Sequence, residues 1–143
     1  MSLAEIMDSI EVSPIRSFRF SLAIYILENA KRALSTDTPI NNRIGVAKMI
    51  AEATKVMILR LDRDRVNQIF KLARRYDIKL AHERGGSGES ERGRPPDAWI
   101  QLMRELNMND KEDPVQWIER VCYIAIFVVT ELLMETLEED KVK

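Results

Sequence analysis

The longest apolar stretch of the chain lies near its C-terminus and predicts a long helix from Asp113 to about Glu139. Asp113 can accept backbone N–H bonds as the N-cap, and Pro114 at the first helical position removes no donor that the helix needs. Residues 121–130 carry no charge and are apolar on most sides of the helix, which predicts burial on most sides. The uncharged run is shorter than the roughly 18 residues that a membrane span requires. We therefore interpret it as the central helix of a small helical domain.

The preceding pattern predicts shorter helices packed around this central one. Their start signals are a capping side chain, with proline at the first helical position in two of the four. The predicted helices run from Pro14 to about Leu34, from Pro39 to about Leu61, from Asp62 to about His82 and from Ala98 to Leu106, after a short amphipathic piece at 3–12. We expect Gly45, which costs roughly 1 kcal/mol relative to alanine, to mark a close helix–helix approach. No strand pattern of useful length appears, so the prediction is all-α: one bundle of about five helices over residues 1–143.

The segment between Leu61 and His82 has two distinct faces when its residues are placed at 100° intervals. The apolar side holds Val66, Ile69, Leu72, Ala73, Tyr76 and Leu80. The opposite side holds Arg60, Arg63, Lys71, Arg74 and Arg75, with Lys79 and His82 at its border; Asp64 is an acidic exception, and Ile78 breaks the pattern. Residues 84–96 follow, rich in glycine and proline, and predict a flexible loop that adds Arg84, Arg92 and Arg94.

Charge is unevenly distributed, although the net charge is only −1. Residues 43–96 hold 13 Lys/Arg against 7 Asp/Glu, whereas residues 97–143 hold 5 against 11. Two interpretations stay open: separate partner surfaces or head-to-tail contact between copies, or neutralisation of one half by the other within the chain. The single cysteine, Cys122, cannot form an internal disulfide, and no signal peptide or membrane segment is recognisable. We expect a cytoplasmic protein.

Candidate catalytic chemistry is sparse. One histidine and one cysteine exclude most metal sites built from such clusters and most nucleophile–base pairs, so we expect no enzyme activity, metal or cofactor. Cys122 is interpreted as a core residue. Arg75 and His82 have a spacing similar to that of helical ribonucleases of the HEPN class, in which an arginine could hold a phosphate while a histidine moves a proton. Tyr76 departs from the polar residue usual after the arginine there.

The basic side is a better candidate. Rows of Arg and Lys along a helix can bind a phosphate backbone without reading bases. The predicted nucleic-acid-binding residues are Arg60, Arg63, Lys71, Arg74, Arg75, Lys79, Arg84, Arg92 and Arg94. Nothing marks a recognition helix, and aromatic residues are too few on this face for a stacking platform. A charged face that only contacts solvent is the alternative.

The order of elements resembles the small helical subunit of archaeal type I-A CRISPR surveillance complexes. The residues that carry the resemblance are Asp37-Thr-Pro39, Asn42-Arg-Ile-Gly45 at the start of a helix, and Asn109-Asp-Lys-Glu-Asp113 before the long apolar helix. The resemblance implies a non-catalytic scaffold for antiviral defence. Its partners would be the other protein subunits of a ribonucleoprotein complex and the backbone of guide RNA, target DNA or the displaced strand. A homo-oligomeric helical adaptor without nucleic-acid binding is the alternative function.

Overall fold

The computed structural model describes the backbone of residues 14–80, 97–109 and 111–142, and the side chains of 19–80, 97–109 and 111–138. These residues form five helices and no strand, which confirms the all-α prediction. The helices are α1 (Pro14–Leu34), α2 (Ile40–Ile58), α3 (Arg63–Arg75), α4 (Ala98–Arg104) and α5 (Pro114–Val142). The predicted N-terminal piece at 3–12 lies outside the described residues.

Helix α5 is the central element, since it contacts α1, α2 and α3. Its fully buried residues include Ile118, Val121, Ile124, Val128 and Leu132, each 0% exposed. Arg19 of α1 lies beside Glu135 and Ala30 beside Cys122, so α1 runs antiparallel to α5. The short α4 packs on α3 and α2. The burial of a mostly apolar α5 agrees with its sequence pattern.

Four of the five predicted helix starts agree with the observed ones, and that of α2 is shifted by one residue. The carboxylates of Asp62, Asp97 and Asp113 accept N–H bonds from residues two or three positions later, as N-caps do. Pro39, however, is itself the N-cap of α2, and no side chain caps that helix. Pro39 lacks an N–H but offers its carbonyl oxygen, which accepts from both Asn42 and Arg43 at 3.0 Å.

The expected extension of α3 to His82 is wrong, because the helix ends at Arg75 in a Schellman motif. Asp77 adopts a left-handed conformation with φ of 57°. The N–H of Asp77 donates to the Arg74 carbonyl at 3.2 Å, and the N–H of Ile78 donates to the Ala73 carbonyl at 2.8 Å. Because Ile78 follows this reversal, it packs against the core despite its position in the helical pattern. A glycine would signal such an end, whereas here an aspartate occupies the position.

The expected close approach at Gly45 is also wrong. Gly45 is exposed, and a Cβ atom built there would have nothing within 4 Å. The glycine therefore has no packing role among the described residues.

The carbonyl groups at helix C-termini are satisfied by long side chains from later in the chain. Arg43 Nε donates to the Ala33 carbonyl at 2.8 Å at the end of α1, and Trp99 Nε1 donates to the Leu61 carbonyl at 2.9 Å just after α2. Such carbonyls have no partner within their own helix. The first bond joins the end of α1 to α2, and the second joins the α2–α3 connection to α4.

Candidate nucleic-acid interface

The outward side of α3 presents four cationic side chains, Arg63, Lys71, Arg74 and Arg75, which we call the basic face. All four are exposed, whereas Val66, Ile69 and Ala73 on the opposite side are buried. At a rise of about 1.5 Å per residue, the basic face extends over roughly 18 Å. The intervening exposed residues include Asn67 and Gln68, which can donate hydrogen bonds, and one acidic residue, Asp64. The predicted division of α3 into two faces is therefore observed between Arg63 and Arg75.

The other predicted binding residues fall into two groups. Arg60 lies in the turn before α3 and Lys79 in the segment after it, and both are exposed. They flank the basic face rather than belonging to the helix. Arg84, Arg92 and Arg94, predicted to contribute from the loop, lie outside the described residues.

The acidic end of α5 is paired with arginines that are not on the basic face. Arg65 lies on the side of α3 that faces α5, and its guanidinium contacts Glu135 at 3.4 Å, Glu138 at 2.5 Å and Glu131 at 3.8 Å. Arg19 of α1 donates to Thr136 Oγ1 at 3.2 Å and lies 4.0 Å from Glu135. Neutralisation within the chain thus occurs, but through Arg65 and Arg19. The basic face points away from this acidic cluster.

Burial perturbs the acidic cluster at Glu131, whose side chain is 9% exposed. Removal from water raises the pKa of the Glu131 carboxyl, while the nearby Arg65 opposes that shift and Glu138 adds to it. At this contact desolvation outweighs the attraction to Arg65. The cluster therefore joins α3 to α5 at some electrostatic cost.

A groove of about 380 Å³ lies between α3 and α4, next to the basic face. Its lining combines two cations, an aromatic ring and two amides with one carboxylate: Lys71, Arg74, Phe70, Asn67, Gln101 and Glu105, together with Leu80. Cations bind phosphate oxygens, and amides can bond the edges of bases. The groove thus places two amides, which could bond the edges of bases, beside two cations that could bind a phosphate backbone.

The sequence pattern did not identify two arginines that form ion pairs within the fold. Arg65 was not recognised because it lies at the border between the two faces of α3. Arg120 is the other: it is 2% exposed, at the base of the apolar helix α5. Its Nε donates to the Glu105 carbonyl at 2.8 Å, one Nη donates to the Asn107 carbonyl at 3.2 Å, and both Nη atoms contact the Glu112 carboxylate.

We call Arg120 with Glu105, Glu112 and Trp117 the Arg120 junction. Trp117 Nε1 donates to the Leu106 carbonyl at 3.1 Å, so the junction satisfies three successive carbonyls after α4. Glu112 belongs to the Lys-Glu-Asp lead into α5 on which the resemblance partly rests. That lead has a structural role here, as the partner of a buried arginine.

Residues considered for catalysis do not assemble into a site in the part of the chain that the structure describes. Because α3 ends at Arg75, Arg75 and His82 do not share one helix, and His82 lies outside the described residues. Cys122 is fully buried, and burial raises the pKa of its thiol to about 12. A thiol that stays protonated is a poor nucleophile. Within the described residues, no group of three or more His, Cys, Asp or Glu side chains could hold a metal ion.

Comparisons with known proteins return nothing: no protein-family model, no curated protein and no solved structure matches this chain. Among the described helices, none is long and apolar enough to cross a membrane.

Proposed function

We propose that this protein is a non-catalytic nucleic-acid-binding subunit that holds a phosphate backbone along the basic face of α3. The observation that carries the proposal is the separation of charge between Arg65 and the basic face. The acidic residues of α5 are paired with Arg65 and Arg19, while Arg63, Lys71, Arg74 and Arg75 remain exposed on the opposite side. Pairing with the acidic residues of α5 therefore does not account for the exposed charges of Arg63, Lys71 and Arg75.

The geometry favours backbone binding over sequence reading. Four cations within roughly 18 Å of helix can contact several phosphates. The exposed side chains between them are two amides, Asn67 and Gln68, and the carboxylate of Asp64, rather than the row of aromatic rings that a stacking platform would need. Binding should be largely independent of sequence and strongly dependent on salt. The adjacent groove offers room for an unpaired base, which favours single strands over duplex.

The decisive experiment is a salt titration of binding to single-stranded RNA and to single- and double-stranded DNA. We compare the wild type with Arg74→Glu/Arg75→Glu. The reversal should weaken binding to every sequence at least about tenfold, because two attractive contacts become repulsive. It should also lower the slope of log K against log salt by about 1.4 for single strands, or roughly 0.7 per lost phosphate contact.

The chain offers a matched control in Lys31→Glu/Arg32→Glu. Both pairs are adjacent, exposed and in the last turn of a helix, α3 or α1, so both reversals remove the same charge and disturb the same helix dipole. The control should bind like the wild type. Equal losses in both variants, or an unchanged salt slope in Arg74→Glu/Arg75→Glu, would contradict a binding surface on α3.

We further propose that the complex served by this subunit is an RNA-guided surveillance complex of the CRISPR type I-A kind. The support is the resemblance in the Asp37–Pro39, Asn42–Gly45 and Asn109–Asp113 segments. The test is to purify the tagged protein from the organism that encodes it and sequence the bound RNA. Enrichment of short guide RNAs is expected. Purification with partners but without guide RNA would contradict the CRISPR proposal and leave backbone binding intact.

A further inference from the structure

Helix α5 has a second apolar stripe on the side that faces away from the core. Tyr123, Phe127, Thr130, Met134 and Leu137 follow one another at spacings of four, three, four and three residues; we call this the outer stripe. Tyr123, Met134 and Leu137 are 36%, 47% and 50% exposed. A regular alternation of three and four places these side chains along one seam, which is the pattern that two helices use to pack against each other in a coiled coil.

The details of the outer stripe suit burial against another helix. Thr130 is exposed, but its hydroxyl donates to the Ile126 carbonyl at 2.8 Å, so covering it leaves no unpaired donor. Ile126 and Leu133 are partly buried beside the seam and broaden it. Tyr76, which is 61% exposed, stacks on Phe127 with ring centroids 6.0 Å apart. None of the five stripe residues is charged.

We propose that the outer stripe is the interface with a second copy of this chain, in an antiparallel two-fold pair centred on Thr130. In that arrangement Thr130 faces its own counterpart, Met134 faces Phe127 of the second copy, and Leu137 faces Tyr123. The same five residues thus complete the seam on both sides, as a two-fold interface requires.

Charge selects the antiparallel arrangement. Tyr76 stacks on Phe127, which places the neighbouring Arg75 near that level of α5. In the antiparallel pair Met134 of one copy faces Phe127 of the other, so Glu138 lies about one helical turn beyond the level of Phe127 and Arg75, on the side where α3 lies. Opposite charges then approach each other at both ends of the seam. A parallel pair would instead place the two acidic ends side by side.

Charge also argues against the chain's own N-terminal segment as the occupant. Leu3, Ile6, Met7 and Ile10 have helical spacing and could cover an apolar stripe. However, that segment carries Glu5, Asp8 and Glu11 and has no Lys or Arg before Arg16. Because Arg19 of α1 lies beside Glu135, α1 begins near the acidic end of α5. If the N-terminal segment covered the outer stripe, its acidic side chains would lie close to the acidic end of α5.

The antiparallel pair would also fix where the basic faces of the two copies lie relative to each other. A two-fold axis perpendicular to antiparallel α5 helices keeps the α3 helices of both copies on the same side of the pair. Two basic faces would therefore be available to one strand. The proposal for the pair itself does not depend on the proposed function.

The first test is the mass of the full-length protein by light scattering over a range of concentrations, for the wild type, Met134→Glu and Met49→Glu. Met49 is 52% exposed on α2 and Met134 is 47% exposed on α5, so the two substitutions are matched in chemistry and exposure. The wild type and Met49→Glu should reach twice the monomer mass of 16.6 kDa. Met134→Glu should raise the dissociation constant at least about 100-fold, since both copies bring a charge into the seam.

A wild type that stays monomeric overturns the proposal, and so does a pair that Met49→Glu disrupts but Met134→Glu does not. A chain lacking residues 1–12 that pairs when the full chain does not would show that the N-terminal segment occupies the stripe. Circular dichroism of each variant checks that it folds.

Cross-linking tests the register. Thr130→Cys should form a disulfide-linked dimer on mild oxidation, because the two residues face each other, and Leu137→Cys should not. Cys122 does not interfere, since it is fully buried. Efficient cross-linking of Leu137→Cys would overturn the antiparallel arrangement.

Discussion

The Arg120 junction and the basic face of α3 contain the same kind of side chain in opposite surroundings. Arg120 is 2% exposed, forms ion pairs with the carboxylates of Glu105 (3.6 Å) and Glu112 and donates to two carbonyls, whereas Lys71 and Arg75 are exposed and form no ion pair with the described residues. A buried guanidinium is stable only when its donors are satisfied, while an exposed one keeps its water. The difference separates a charge that maintains the fold from charges that remain available to a partner.

The largest difference in stability is expected when one arginine is removed from each region. Arg120→Ala should destabilise the protein by about 3–5 kcal/mol, because it leaves the buried Glu105 and Glu112 without their cation and two carbonyls without a donor. Arg75→Ala should change the free energy of unfolding by less than about 0.5 kcal/mol. Chemical denaturation of both variants measures the difference. Similar costs for the two would show that Arg75 has a structural partner.

The contact between α3 and α5 is intermediate in exposure, since the side chains of Arg65 and Glu131 are 15% and 9% exposed, and its stability depends on pH. Glu131 has a raised pKa in the folded protein, so its contribution to stability is present below the unfolded pKa and is lost as pH rises through the folded pKa. Glu131→Gln should therefore be more stable than the wild type at neutral pH. The difference should disappear at acidic pH, where Glu131 is protonated in both states.

Denaturation of the wild type and Glu131→Gln at several pH values measures this effect. A suitable control is Glu138→Gln, whose carboxylate is 60% exposed and contacts the same Arg65. If Glu131→Gln is less stable at neutral pH, attraction to Arg65 outweighs the desolvation of Glu131.

The smallest effect concerns an exposed position at which only the local backbone matters. Gly45→Ala should stabilise the protein by about 0.5–1 kcal/mol, because α2 gains helix propensity and the new methyl group meets no atom within 4 Å. Thermal denaturation measures the gain. Destabilisation would mean that Gly45 contacts something beyond the described residues.

Much of the fold follows from local sequence. The Asp caps at 62, 97 and 113 and the apolar run in α5 predict helices that the structure contains, because capping and periodicity depend on residues a few positions apart. The end of α3 was missed because nothing in the sequence distinguishes Asp77, which is left-handed in a Schellman motif, from an ordinary polar residue within a helix. Gly45 was misinterpreted because the sequence does not show whether a glycine packs closely against another helix or faces solvent.

Local sequence is sufficient to predict the class of the fold, the two faces of α3 and the acidic character of residues 97–143. Which charges meet depends on the tertiary structure. It pairs the acidic end with Arg65 and Arg19 instead of the basic face, buries Arg120 beneath the α4–α5 connection and exposes a second stripe on α5. The physical reason is that pairing and burial depend on contacts between residues far apart in sequence. The distances from Arg65 to Glu138, or from Tyr76 to Phe127, are not encoded in any local pattern.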